Sequence, residues 1–150
     1  MAILGEHVQQ QLRERFAERL TGEVEVRLYL KPGSGRLILP TGMGCPTCDD
    51  ARQLAEGVRD CAPEKIKLEV VDVSQGENGA VEEVPTLTVG TAGEEHRIRF
   101  MGLTSGHEFA TVVDAIERVS RAEVGLSERS LDRLSALEGS LEVMVFATPT

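Results

Sequence analysis

Val8, Leu12, Phe16 and Leu20 recur every fourth residue among Glu, Gln and Arg, which predicts a helix with one buried stripe, ended by Gly22. From Val24 to Leu30 apolar residues alternate with polar ones and Tyr29, the pattern of a strand. The turn "KPGSG" leads to the short apolar run "RLILP", a candidate second strand at residues 36–40. Cys48, Ala51, Leu54, Ala55 and Val58 fall on one face of a second helix, with Pro46 suited to its first turn. "IKLEVVDV" alternates again as a strand, and "SQGENGAVEE" is a polar loop. "VPTLTV" and "HRIRFM" then predict an antiparallel pair across "GTAGEE". Ser105 and Glu108 have capping-box spacing before a helix that turns Phe109, Val112, Val113, Ile116 and Val119 inward. A helix crossover first and a hairpin later imply an α/β fold, a central mixed sheet flanked by helices.

The last residues restart this pattern. "LDRLSALEGSLEVMVFA" repeats "RERFAERLTGEVEVRLYL": Leu126, Leu131, Leu134 and Leu137 predict a helix, Gly139 a stop, and residues 141–147 a strand. The expected organisation is one complete unit over residues 1–122, followed by the first helix and strand of a second unit over 123–150. The expected strand is apolar on both faces, like a central strand meant to be covered on both sides. Its exposure would be an aggregation hazard, relieved if the segment folds back on the first unit or if two chains pair through it; of the two, pairing to a homodimer through residues 126–150 is the favoured expectation.

Length and charge narrow the functional classes. A chain of 150 residues buries a core without disulfide staples. A net charge of −9 argues against a nucleic-acid partner. No apolar run approaches membrane-spanning length, and "MAILGEHVQQ" is no signal peptide, which together predict a cytoplasmic protein with no membrane partner. Three cysteines, an odd count, do not make a disulfide framework.

Cys45 and Cys48 form a CxxC at the start of a helix. Free N–H groups and the helix dipole favour negative charge there, so Cys45 is the expected thiolate nucleophile. Cys48, one turn on and facing inward, is placed to resolve a mixed disulfide. Asp49 and Asp50 oppose ionisation of Cys45, so its expected pKa lies below the free value of about 8.5 but above the roughly 3.5 of strong oxidants. Val84-Pro85, if cis, would offer backbone beside Cys45 to an extended substrate. Three alternatives stay open for the pair: redox exchange, a zinc clasp and an inert pair. Redox exchange is favoured, because zinc needs further ligands and Cys61, His7, His96 and His107 are scattered singly over different elements. Cys61 is expected to be a half-buried packing thiol, and His107 a neutral structural or surface histidine.

CPTC opening a helix, "EVPTLTV" some forty residues on and the order of elements resemble the thioredoxin superfamily. "RFMGLTSGHEFATVVDAIERVS" with "LEVMVFATPT" resembles the tandem glutaredoxin-like protein disulfide oxidoreductases, and the "GHEF" region is similar to the N-terminal part of the alkyl hydroperoxide reductase flavoprotein subunit. The resemblance implies a thioredoxin-like fold for residues 1–122, catalysis by Cys45 and Cys48, and substrate binding by Pro46, Thr47, Val84 and Pro85. It implies protein disulfides as substrates, a thioredoxin-reductase-like electron donor, and no metal or cofactor. In the second relative the first unit lacks the cysteine pair, so Cys45 and Cys48 favour the oxidoreductase over a non-catalytic docking unit for a reductase or peroxidase. This chain departs from these relatives in three ways. "KPGSGRLILPTGMG" is a longer connection, Gly44 replaces a larger residue and is expected to leave Cys45 more open, and relatives continue past "TPT" into a second CxxC.

Overall fold

The computed structural model describes residues 3–31, 44–75, 81 and 83–147. Helix α1 (Glu6–Arg19) leads to strand β1 (Val24–Leu30), then α2 (Cys48–Arg59) and β2 (Ile66–Asp72). Strands β3 (Thr86–Gly90) and β4 (Ile98–Met101) precede α3 (His107–Arg121), and α4 (Glu128–Ser135) follows. The sheet order is β2-β1-β3-β4. Strand β1 pairs parallel with β2, Val24 opposite Ile66, and antiparallel with β3, Glu25 opposite Gly90. Strands β3 and β4 are antiparallel, so the mixed sheet with its late hairpin is as expected. The strand expected at residues 36–40 lies outside the described residues.

Alternation in β1 sorts its side chains cleanly. Val24, Val26, Leu28 and Leu30 are buried, while Glu25, Arg27 and Tyr29 on the other face are half-buried. Val26, Ile66 and Leu87 meet Leu54, Ala55 and Val58 of α2 and Phe109, Val112 and Ile116 of α3 around one narrow apolar crevice. These two helices therefore cover the same face of the sheet. Helix α1 packs against both of them, sinking Leu12 and Phe16 into the core. Each fully buried side chain of this kind contributes about 1.5–3 kcal/mol. Val8 remains exposed, so the buried stripe of α1 is shorter than its spacing suggests.

Polar contacts lock α1 to α3. Glu117 is only 2% exposed and accepts from Arg15 and Arg19, and Arg15 also reaches Asp114 at 2.7 Å. The Arg15 guanidinium is held above its usual pKa, first by its hydrogen bond to Glu117. One turn on, the Ser120 carbonyl accepts from Gly22 N–H at 3.1 Å, and Ser120 Oγ accepts from Thr21 N–H at 2.9 Å.

Three expectations are corrected. The capping box at Ser105 does not form: Gly106 is the N-cap, and its φ of 71° bars it from the first helical position that a Ser105 cap requires. Ser105 thus lies one residue too early. Helix α2 starts at Cys48, so Pro46 sits in the turn before it rather than in its first turn. In the tail α4 forms, but residues 141–147 pair with no strand. Strand formation needs a partner ladder, and among the described residues the sheet consists of β2-β1-β3-β4 with no ladder to residues 141–147.

Candidate active site

The site grows out of the β1–α2–β2 crossover. Parallel strands joined through a helix require that helix to run back against them, so α2 begins at the end of the sheet where β1 finishes. Strand β3 runs opposite to β1, with Thr86 paired to Tyr29, so Pro85 lies at that same end. Topology alone thus gathers Cys45, Cys48, Val84 and Pro85 around one sheet end.

Cys45 and Cys48 are joined in a disulfide with their Cα atoms 5.4 Å apart. Cys48 N–H donates to the Cys45 carbonyl at 3.3 Å, and Ala51 N–H to the Thr47 carbonyl at 2.9 Å, which winds the turn directly into α2. Thr47 is the N-cap residue, without a side-chain cap bond. Cys45 is 5% exposed and Cys48 3%. The expectation that Gly44 leaves Cys45 open is therefore corrected: in the disulfide state both sulfurs belong to the core, and the exposed residue between them is Pro46. Thr47 is half-buried.

The Val84-Pro85 peptide bond is cis. Val84 packs against the core as a partly buried side chain, and Pro85 is buried. Gly102 N–H donates to the Pro85 carbonyl at 2.8 Å, and Thr86 Oγ1 donates to the Glu83 carbonyl at 2.8 Å. The chain on both sides of Pro85 is thus fixed by hydrogen bonds. Glu83 is exposed, and Glu82 lies outside the described residues.

The remaining candidates lie elsewhere. Cys61, at the far end of α2, is buried rather than half-buried, and its thiol donates to the Gly57 carbonyl at 3.2 Å. Burial pushes its pKa up, and Asp60 adds to this against Arg13. Among the described residues no group of three or more His, Cys, Asp or Glu side chains is placed to hold a metal. His107 begins α3, as its position in the sequence suggests.

His96 was not singled out by its spacing, yet it is one of the few buried polar side chains. It lies over Gly90, where a Cβ would stand 2.4 Å from the imidazole, and its Nδ1 meets Thr88 Oγ1 at 2.9 Å. Burial and Arg27 push its pKa down against the pull of Glu25 and Glu69. Glu25 pairs with Gly90 near the start of β1, the end of the sheet away from the CxxC.

No protein-family model matches the chain. The alkyl hydroperoxide reductase protein AhpF of Staphylococcus aureus (strain NCTC 8325 / PS 47) is 32% identical over 71 residues, 47% of this chain and 14% of that protein. Its counterpart in Staphylococcus epidermidis (strain RP62A) is 28% identical over 102 residues, 68% of this chain and 19% of that protein. The chain thus spans less than a fifth of these curated relatives. A protein disulfide oxidoreductase from Aeropyrum pernix K1 superposes with a TM-score of 0.70 at 29% identity, covering 90% of this chain and 56% of that one. The N-terminal domain of alkyl hydroperoxide reductase AhpF from Enterococcus faecalis (V583) gives a TM-score of 0.70 at 22% identity, covering 90% and 61%, a likeness of fold. With this strand order and a likeness to a disulfide oxidoreductase over 90% of its length, the chain is a member of the thioredoxin-like superfamily.

Proposed function

We propose that the chain is a thiol–disulfide oxidoreductase that reduces or exchanges protein disulfides through Cys45 and Cys48. The observation that carries this is the Cys45–Cys48 bond at the mouth of α2. In the reduced state Cys45, nearest the helix's free N–H groups, attacks a substrate disulfide as thiolate. A mixed disulfide forms, and the first substrate sulfur leaves as a thiolate that takes up a proton. Cys48 then loses its proton and attacks the Cys45 sulfur, releasing the second substrate thiol. The substrate gains two electrons, and the protein is left in the disulfide state described above. A reductase-type donor supplying two electrons and two protons returns it to the dithiol. Pro46 and Thr47 line one side of the substrate path, and Val84 and Pro85 the other, where the Val84 backbone pairs with an extended segment.

Trapping tests the assignment. Cys48→Ser is expected to accumulate a mixed disulfide with a protein substrate, while Cys45→Ser neither reduces nor traps it. The reverse pattern would exchange the two roles. Failure of both variants and of the unsubstituted chain to react favours a second function, suggested by the 32% identity to the alkyl hydroperoxide reductase protein AhpF. In that case the fold docks a reductase or peroxidase without exchanging electrons itself.

A further inference from the structure

Both sulfurs of the cysteine pair are buried, so a donor thiol that reopens the bond must first settle on the residues around it. Three carboxylates mark that surface. Asp49 and Asp50 follow Cys48 in the first turn of α2 and are exposed. Glu83, also exposed, stands two residues before the cis-bonded Pro85, and its carbonyl accepts from Thr86 Oγ1 at 2.8 Å. Among the described residues none of the three takes part in an ion pair. Helix α3 starts from the same end of the sheet, because β4 finishes there with Met101 opposite Thr86, and it brings Glu108 in its first turn. The positive ends of α2 and α3 are each answered by these acidic residues. The cations at this end are Lys31, just past β1, and Arg52, one turn along α2, and neither forms an ion pair with the carboxylates. The balance is negative, and a thiolate approaching Cys45 adds one more negative charge to it.

We propose that the donor which reduces the Cys45–Cys48 bond is a protein thiol set in a basic surface, its attacking cysteine flanked by Lys or Arg. This rests on the redox reading of the pair and adds to it the charge of the donor. The donor thiolate attacks Cys45 Sγ to form a mixed disulfide, while Cys48 leaves and takes up a proton. A second donor thiolate attacks the donor sulfur of that mixed disulfide. Cys45 then leaves and takes up a proton, and the donor, two electrons poorer, is left as a disulfide. Cations of the donor set against Asp49, Asp50 and Glu83 offset the repulsion its thiolate meets, which speeds encounter and disfavours anionic competitors. The three charges come from two separate segments, more than one small cation faces at once, so their complement is a protein surface.

The test reduces the full 150-residue chain with cysteamine, 2-mercaptoethanol and 3-mercaptopropionate, and with cysteine peptides flanked by lysines or by glutamates. Rates per thiolate are read by alkylation and mass spectrometry. They are referred to the same thiols acting on hydroxyethyl disulfide, which cancels intrinsic reactivity. At low salt cysteamine is expected to outpace 3-mercaptopropionate by about tenfold, with 2-mercaptoethanol between them, and the lysine peptide to outpace the glutamate peptide by more. Asp49→Asn with Asp50→Asn and Glu83→Gln is expected to bring both ratios close to one, as is about 1 M salt on the unsubstituted chain. Equal rates overturn the proposal, and so does a preference that survives the salt or the substitutions, since its origin then lies in other groups. A lysine peptide no more favoured than cysteamine overturns a protein surface as the complement. If uncharged dithiothreitol leaves the pair closed in the native chain, the redox reading itself fails, whereas a pair that opens with no charge preference sinks this inference alone.

Discussion

His96 shows how one side chain ties a turn to the sheet it leaves. Its ring rests on Gly90 and bonds Thr88, both in β3, while Glu25 and Arg27 of β1 and Glu69 of β2 are the charged groups around it. Glu25 stands 3.6 Å from Nε2 and favours the imidazolium, but burial and Arg27 outweigh it, so the folded pKa lies below the ordinary value. The unfolded chain then takes up a proton near pH 6.5 that the folded chain refuses. Stability is complete above that pH and is lost as pH falls from about 6.5 through the lowered folded pKa. Thermal unfolding is expected to drop in midpoint over this interval, and His96→Gln to flatten the drop. An equally steep drop in the variant would place its origin in other groups. Cys45 and Cys48 were legible as chemistry because CxxC before an amphipathic helix is a local pattern. His96 was not, because its neighbours come from three strands far apart in sequence.

At the level of elements, the joint between α1 and β1 depends on a close approach to the end of α3. Gly22 donates to the Ser120 carbonyl, and a Cβ at Gly22 would stand 2.8 Å from that backbone oxygen. The obstacle is backbone, held in turn by Ser120 Oγ donating to the Gly22 carbonyl at 2.8 Å, so it cannot swing aside as a side chain would. Gly22→Ala is expected to cost about 1–3 kcal/mol, as overpacking does, read as a lower urea midpoint with an unchanged slope. A cost near zero would mean that the joint opens without loss. The sequence marks Gly22 only as a helix stop, yet its contact is tertiary. The same limit explains the other element-level differences. Periodicity located α1–α3 and β1–β4, most cleanly in β1, where one face is buried, and with the help of turn residues around β3, buried throughout, and β4, largely exposed. It misplaced the start of α3, where the left-handed Gly106 overrides Ser105, and it assigned a strand to residues 141–147, where the apolar pattern is present but a partner ladder is not.

For the whole molecule, the redox cycle demands a fold that persists in both states of the cysteine pair. The Cys45–Cys48 bond spans a sequence separation of only 3, so it removes little freedom from the unfolded chain, on the order of 2 kcal/mol in the loop-closure account. The core reaches well beyond it: α1, β1, β2 and α3 contribute Phe16, Val24, Leu28, Ile66 and Ile116, each at most 1% exposed. Full reduction is therefore expected to lower the thermal midpoint by about 4–10 °C and leave the helical signal intact. Loss of that signal in dithiothreitol would show that the bond staples the fold, and would argue against a cycling pair. The sign also has a chemical consequence. If folding is stronger with the bond closed, folding in turn favours the closed bond over the open dithiol. A difference on the order of 2 kcal/mol corresponds to about 40 mV for a two-electron couple, so the folded pair should be that much more reducing than the same CxxC in an unfolded peptide. A potential for the folded protein equal to the peptide's, or above it, would contradict a stabilising bond and shift the proposed role from reductant toward oxidant.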